Sequence, residues 1–139
     1  MPSQYQNFGV SFLYPENWKV TDESHESPLG VTLETPDGGY WELQIYEPIV
    51  EPAMLVDHVL EAMENEYDDL EAHEAAERWD DLPAIGYDMH FFCLDLLVLS
   101  NVRACIVGER SYLLLCQAES REFDKQAPVF AAITKSLLS

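Results

Sequence analysis

Two prolines, Pro48 and Pro52, divide this chain into stretches whose apolar residues recur with different periods, and that switch restricts the fold more than any other feature. Before Pro48 the apolar residues alternate. Phe8, Val10 and Phe12 are interleaved with Gly9, Ser11 and Leu13, the period-two pattern of a half-buried strand. The strand ends at Tyr14-Pro15, because proline lacks a ladder donor and fixes φ. Pro15-Glu16-Asn17 predicts a turn that joins it to an antiparallel neighbour, Trp18 to Asp22. Leu29 to Thr35 is expected as a third strand and Pro36-Asp37-Gly38-Gly39 as a tight turn. Tyr40 to Glu47 is then the fourth strand, with Trp41, Leu43 and Ile45 on one face. After Pro52 the period lengthens. From Ala53, Val56, Val59, Leu60, Met63 and Tyr67 form a helical stripe, and Pro52 occupies the first helical position, where its missing N–H would have had no partner.

The stretch from Leu70 to Gly86 is rich in alanine and glutamate, which favour helix, yet it lies between a helix and a long apolar run. A strand is expected near Ala75 to Trp79. Ile85 to Leu94, Leu97 to Val107 and Tyr112 to Ala118 read as further strands, the last two separated by a hairpin turn at Gly108-Glu109-Arg110-Ser111. The chain closes with a helix whose stripe is Phe123, Ala127, Phe130, Ile133 and Leu137, and Pro128 either sits in its first turn or kinks it. The order is four strands, a helix, three or four strands and a helix. Hairpin connections and only two helices predict an α+β fold, an antiparallel sheet of about six to eight strands with both helices packed against it.

A chain of 139 residues fits one domain, residues 1–139, and can bury a core without staples. With 47% hydrophobic and 12% aromatic residues it is not disordered. Cys93, Cys105 and Cys116 are odd in number and each lies in an apolar run, so all three are expected as buried free thiols in a reducing compartment. The start, Met1 to Phe8, shows no basic segment followed by an apolar run, and no window is apolar for long enough to span a membrane. A cytoplasmic location is expected. The formal net charge is −19, from 26 acidic and 7 basic side chains, and it repels phosphate backbones and anionic headgroups, so neither nucleic acid nor a membrane is expected as partner.

Asp57, Glu61, Glu64 and Asp68 recur at helical spacing opposite the apolar stripe of the first helix. Like charges one turn apart weaken a helix by roughly 0.2–0.5 kcal/mol per pair, so these acids do not serve helix stability. They form the candidate docking face for a basic partner, against the simpler reading of a solvated face on an acidic protein. The window Asp57 to Asp81 holds eleven acids and a single base, Arg78.

Catalytic signatures are missing. His73-Glu74-Ala75-Ala76-Glu77 resembles the zinc-protease helix motif HExxH, but the second histidine is Glu77, and surface polarity explains it better. Asp68, Asp69 and Glu71 lack the glycine and the oxygen spacing of a calcium loop and leave only loose cation binding as an alternative. His25, His58, His73 and His90 are dispersed, and His90 and Cys93, three apart on a strand, point to opposite faces. No nucleophile elbow, phosphate-binding loop or dinucleotide fingerprint occurs. Trp18, Trp41, Trp79, Tyr40 and Tyr46 would either line a pocket or, as aromatics at strand spacing more often do, fill the core. No catalytic residue, metal ligand or cofactor is expected.

Four features together resemble the PsbP-like superfamily: Phe8 to Trp18, a helix after the fourth strand, the Gly108-x-Arg110-Ser111-Tyr112-x-Leu114-Leu115 hairpin, and Ala127 to Leu137. That superfamily includes the PsbP subunit of the photosystem II oxygen-evolving complex, a Ran-GTPase-binding nuclear import factor and many bacterial proteins of unknown function. Its DcrB-like branch contains chaperones for type VI secretion effectors. The resemblance implies an antiparallel sheet flanked by helices and mostly binding roles without catalysis; it hands over no site residues. PsbP is targeted to the thylakoid lumen and many bacterial relatives look exported, whereas this sequence shows neither signal. The expected function is a non-enzymatic protein-binding or adaptor domain, monomer or homodimer, whose partner is another protein with a basic or apolar docking segment. A chaperone resembling the DcrB-like type, and a cation-binding module or small cation-dependent enzyme, are the alternatives.

Overall fold

The computed structural model describes residues 1–23 and 28–139, so His25 lies outside the described residues. Among the described residues, nine strands and two helices follow in the order β1 (Ser3–Asn7), β2 (Val10–Tyr14), β3 (Lys19–Glu23), β4 (Leu29–Glu34), β5 (Tyr40–Tyr46), α1 (Pro52–Glu66), β6 (Glu71–Trp79), β7 (Leu82–Cys93), β8 (Leu96–Val107), β9 (Arg110–Glu119) and α2 (Ser120–Leu137). Seven of the strands form one sheet ordered β3-β4-β5-β9-β8-β7-β6, every pair antiparallel. The α+β class and the element order are as expected. One strand, β1, was not anticipated.

β1 pairs only with β2, in a separate two-stranded sheet, and this corrects the role given to Pro15-Glu16-Asn17. The turn is real, closed by the Trp18 N–H donating to the Pro15 carbonyl at 3.1 Å, but it carries the chain from one sheet to another. Turn residues specify a reversal, not the partner of the strand that follows. Phe8 belongs to the β1–β2 turn. It and Gly9 both have positive φ, 54° and 77°, the conformation a two-residue hairpin turn requires. Arg110 fastens this turn by donating to the Phe8 carbonyl and, at 3.1 Å, to Glu47.

Two apolar clusters lie on opposite faces of the large sheet. Trp41, Leu43, Ile45, Leu114 and Val31 pack with Phe12, Trp18, Phe130 and Ile133, which places α2 and the β1–β2 hairpin on one face. Val102, Ala104, Leu113, Leu115 and Met89 pack with Leu55 and Val56 of α1 on the other, joined by Val59, Leu60 and Met63 of the expected stripe. β9 therefore lies in a middle layer. Ser111 to Leu115 are all buried, and the strand reads as a continuous apolar run because both of its faces are covered. Trp18 and Trp41 are core residues, while Trp79 is only partly buried.

Further corrections are local. β6 spans nine residues where five were expected, so His73 to Glu77 is strand and carries no helical motif. Pro128 is in the interior of α2, beyond its first turn. Cys105 is buried as expected and Cys116 is partly so, but Cys93 is exposed at the end of β7, since the apolar run around it belongs to a projecting hairpin.

Candidate functional site

α2 begins immediately after β9. Its first N–H groups are capped by Glu119, whose carboxylate accepts from the Arg121 N–H at 3.1 Å. Phe130, Ile133 and Leu137 hold the helix to the sheet, and the Trp41 indole donates to Thr134 Oγ1 at 3.0 Å inside the contact. The Leu13 N–H donates to Ser136 Oγ at 2.9 Å and locks the far end against β2. These anchors set the helix over β9 and β8. Beside it a cleft of about 450 Å³ opens between α2 and the part of the sheet formed by β6 and β8.

The floor of the cleft is a buried arginine. Arg103, 8% exposed, donates from Nε to Glu77 on β6 and from Nη2 to Asp88 on β7, both at 2.7 Å. Its Nη1 reaches the carbonyls of Tyr87 and Val102 at 3.1 and 2.9 Å. Gly86 is directly opposite Arg103 in register, and an added Cβ there would come within 1.8 Å of the Val102 carbonyl oxygen. Glycine thus permits β7 and β8 to approach closely where the arginine crosses. Both carboxylates are about half exposed, so the network is buried at the guanidinium and wet at its acids.

The remaining lining is apolar along the helix, chiefly Phe123, Ala127 and Phe130, with Trp79 and Leu114 from the sheet. Cys116 also faces the cleft; burial pushes its thiol up to about 12, an effect that Arg103 reduces and Glu77 adds to. A thiol held protonated is a poor nucleophile. The charged residues lining the cleft are Glu77, Asp80, Arg103 and Lys135, and Asp88, outside the lining, supplies Arg103 with its second carboxylate. Four of the five N–H donors of Arg103 have partners, and two of those partners are carboxylates that offset its charge. With Arg103 paired to two carboxylates, Lys135 is the cation left in the described lining, and the helix wall suits an apolar side chain.

Asp57, Glu61 and Glu64 are exposed on α1, on the face of the sheet opposite the cleft. Asp57 is tethered: its Oδ1 accepts from the Tyr87 hydroxyl at 2.7 Å, and that bond, with some burial, raises the tyrosine's pKa. Asp68 is off the helix, which ends at Glu66 when Tyr67 turns extended. Asp69, next to it, accepts from the Phe92 N–H at 3.1 Å. His90 lies 3.0 Å from Glu71, and its ring is 6.3 Å from that of His73. Among the described residues, no three of His, Cys, Asp or Glu converge to hold a metal ion. Neither described helix is long and apolar enough to cross a membrane.

The Arg103 network escaped the sequence reading because its members come from three strands. One signal was present. A charged residue inside Leu97 to Val107, a strand whose other residues are apolar except Ser100 and Asn101, must have partners if it is buried.

An antiparallel sheet with a helix on each face and a hairpin extending one layer places the chain in the class of small α+β proteins. No family model matches the chain, and no curated protein matches it in sequence. Solved structures do. The cyanobacterial PsbP (CyanoP) of Synechocystis sp. PCC 6803 superposes with a TM-score of 0.63 at 16% identity, covering 97% of this chain and 90% of that one. LpqN of Mycobacterium tuberculosis, a protein involved in cell envelope biogenesis, gives 0.62 at 12% identity, covering 96% and 86%. PA94 of Pseudomonas aeruginosa, a protein of unknown function described as a putative regulator, gives 0.58 at 10%, covering 99% and 96%. The chain has the PsbP-like fold.

Proposed function

We propose that this chain is a non-enzymatic, cytoplasmic protein-binding domain that holds a segment of a partner protein in the cleft beside α2. The observation that carries the reading is the pairing of Arg103 with two carboxylates and two carbonyls beneath an apolar helix wall. Such a cleft favours an apolar side chain flanked by lysine or arginine, whose charge meets the half-exposed Glu77 and the exposed Asp80 at its rim. The surface supports the same choice. A net charge of −19, with Asp57, Glu61 and Glu64 displayed along α1, attracts basic segments and raises their association rate. The absence of an activated nucleophile in the described lining, with Cys116 kept protonated, supports binding over catalysis. An exposed free thiol at Cys93 fits a reducing compartment.

The test is to pan a random peptide library against the immobilised chain. Recovered peptides are expected to pair an aliphatic or aromatic residue with Lys or Arg. Ala127→Trp, which fills the cleft, should abolish retention, and Asp57→Lys with Glu61→Lys and Glu64→Lys should slow association at low salt. Peptides without a basic bias, or retention that survives Ala127→Trp, would defeat the proposal.

A further inference from the structure

We infer that the tip of the β7–β8 hairpin, Phe92 to Leu97, is a second docking element, a knob that enters an apolar pocket rimmed by lysine or arginine on a partner protein. Leu94 is 93% exposed, Phe92 58% and Leu96 48%, the densest group of exposed large apolar side chains along the described chain. Their arrangement is that of a knob and not a flat patch. Phe92 and Leu97 share one face of the hairpin, Cys93 and Leu96 share the other, and Leu94 caps the end.

Folding does not explain these residues. Leu94 and Asp95 have φ of 50° and 68°, a two-residue turn in which glycine or asparagine is favoured and a leucine is strained. The leucine therefore bears a conformational cost while burying almost nothing within the chain. The base of the tip, in contrast, is firmly built. Phe91 is buried and stacks on Tyr67 at 3.9 Å, and Asp69 receives the Phe92 N–H that extends past the end of β6. A rigid base under an exposed apolar end is the preorganised form that a docking element needs.

Charge selects the occupant. Asp69, bonded to the Phe92 N–H, and Asp95, in the turn, lie at the tip, with Asp68 adjacent to Asp69 in the chain, and no lysine or arginine occurs between Lys19 and Arg78 or between Arg78 and Arg103. Anionic lipid would be repelled, and so would a second copy of this chain presenting the same acids. A pocket with a basic rim complements both the apolar end and its collar. Asp68, stranded beyond the end of α1, acquires a role here that the helix did not give it.

The experiment places p-benzoylphenylalanine at Phe92 in the full chain in its native host and maps the photo-crosslinked product. The expected product joins one other protein at an apolar stretch with Lys or Arg close by. In a Leu94→Asn background its yield should fall at least about tenfold, the loss expected from withdrawing one buried leucine. Leu94→Asn should leave thermal stability equal or higher, since asparagine suits the turn, so a lost crosslink cannot be ascribed to unfolding. Asp68→Lys with Asp95→Lys should lower the yield at low salt. A crosslink to lipid, to another copy of this chain or to nothing overturns the inference, as does a yield unchanged by Leu94→Asn. Ala127→Trp leaves the tip intact, so failure of this inference is separable from failure of the cleft.

Discussion

Arg103 shows how one buried charge shapes a surface. Its guanidinium is nearly inaccessible, while Glu77 and Asp88 keep about half their surface in water. Removing the arginine would leave two carboxylates that can still be hydrated, so the loss should fall below the 3–5 kcal/mol typical of breaking a buried pair. About 2–3 kcal/mol is expected for Arg103→Ala. Removing one acid is milder, because the guanidinium retains the other carboxylate and two carbonyls. Glu77→Gln should cost under about 1 kcal/mol. Urea unfolding of the two variants checks the ranking: equal losses would mean that the arginine is not the organising centre.

At the level of elements, Gly86 marks a close approach of β7 to β8. An added Cβ at Gly86 meets the Val102 carbonyl oxygen at 1.8 Å and its carbon at 2.7 Å, backbone atoms that cannot rotate away. Gly86→Ala should destabilise by more than about 3 kcal/mol. Gly30 provides the control, since nothing lies within 4 Å of its added Cβ; Gly30→Ala should be neutral or gain about 0.5–1 kcal/mol. Comparable urea midpoints for the two variants would contradict the close approach. The elements also show what the sequence discloses. β5 alternates cleanly, so Trp41, Leu43 and Ile45 announce their face, and both helices declare their stripes. β1 does not, because Ser3 to Asn7 buries only Tyr5 and becomes a strand only beside β2. The acidic row was legible as spacing, yet Asp68 falls off it because the helix stops at Glu66, a boundary that periodicity does not mark. The cleft was the least legible. Arg103 finds Asp88 15 residues away and Glu77 26 residues away, and such separations are fixed by strand pairing, not by any local pattern.

For the whole molecule, the alkaline limit of stability is set by acids that the fold keeps protonated. Burial pushes Cys105 from 9.0 up to about 11, Cys116 from 9.0 up to about 12 and Tyr40 from 10.0 up to about 12. Each folded-state value is raised, so the folded chain holds its protons longer than the unfolded one. The associated stability is complete below pH 9 and is lost as pH rises through the folded values, between about 9 and 12. In that window each group ionised only in the unfolded chain removes about 1.4 kcal/mol per pH unit. The net charge of −19 adds to the effect, because every further ionisation increases self-repulsion of the compact state. Urea midpoints should therefore hold steady up to pH 9 and decline steeply from there to pH 11. Replacing Cys105 with Ala and Cys116 with Ser should flatten the decline without abolishing it, since Tyr40 remains. Added salt should raise the midpoints at every pH by screening the net charge, and should leave the inflection produced by the thiols in place. A decline unchanged in the double variant would show that the two thiols do not contribute to the alkaline limit.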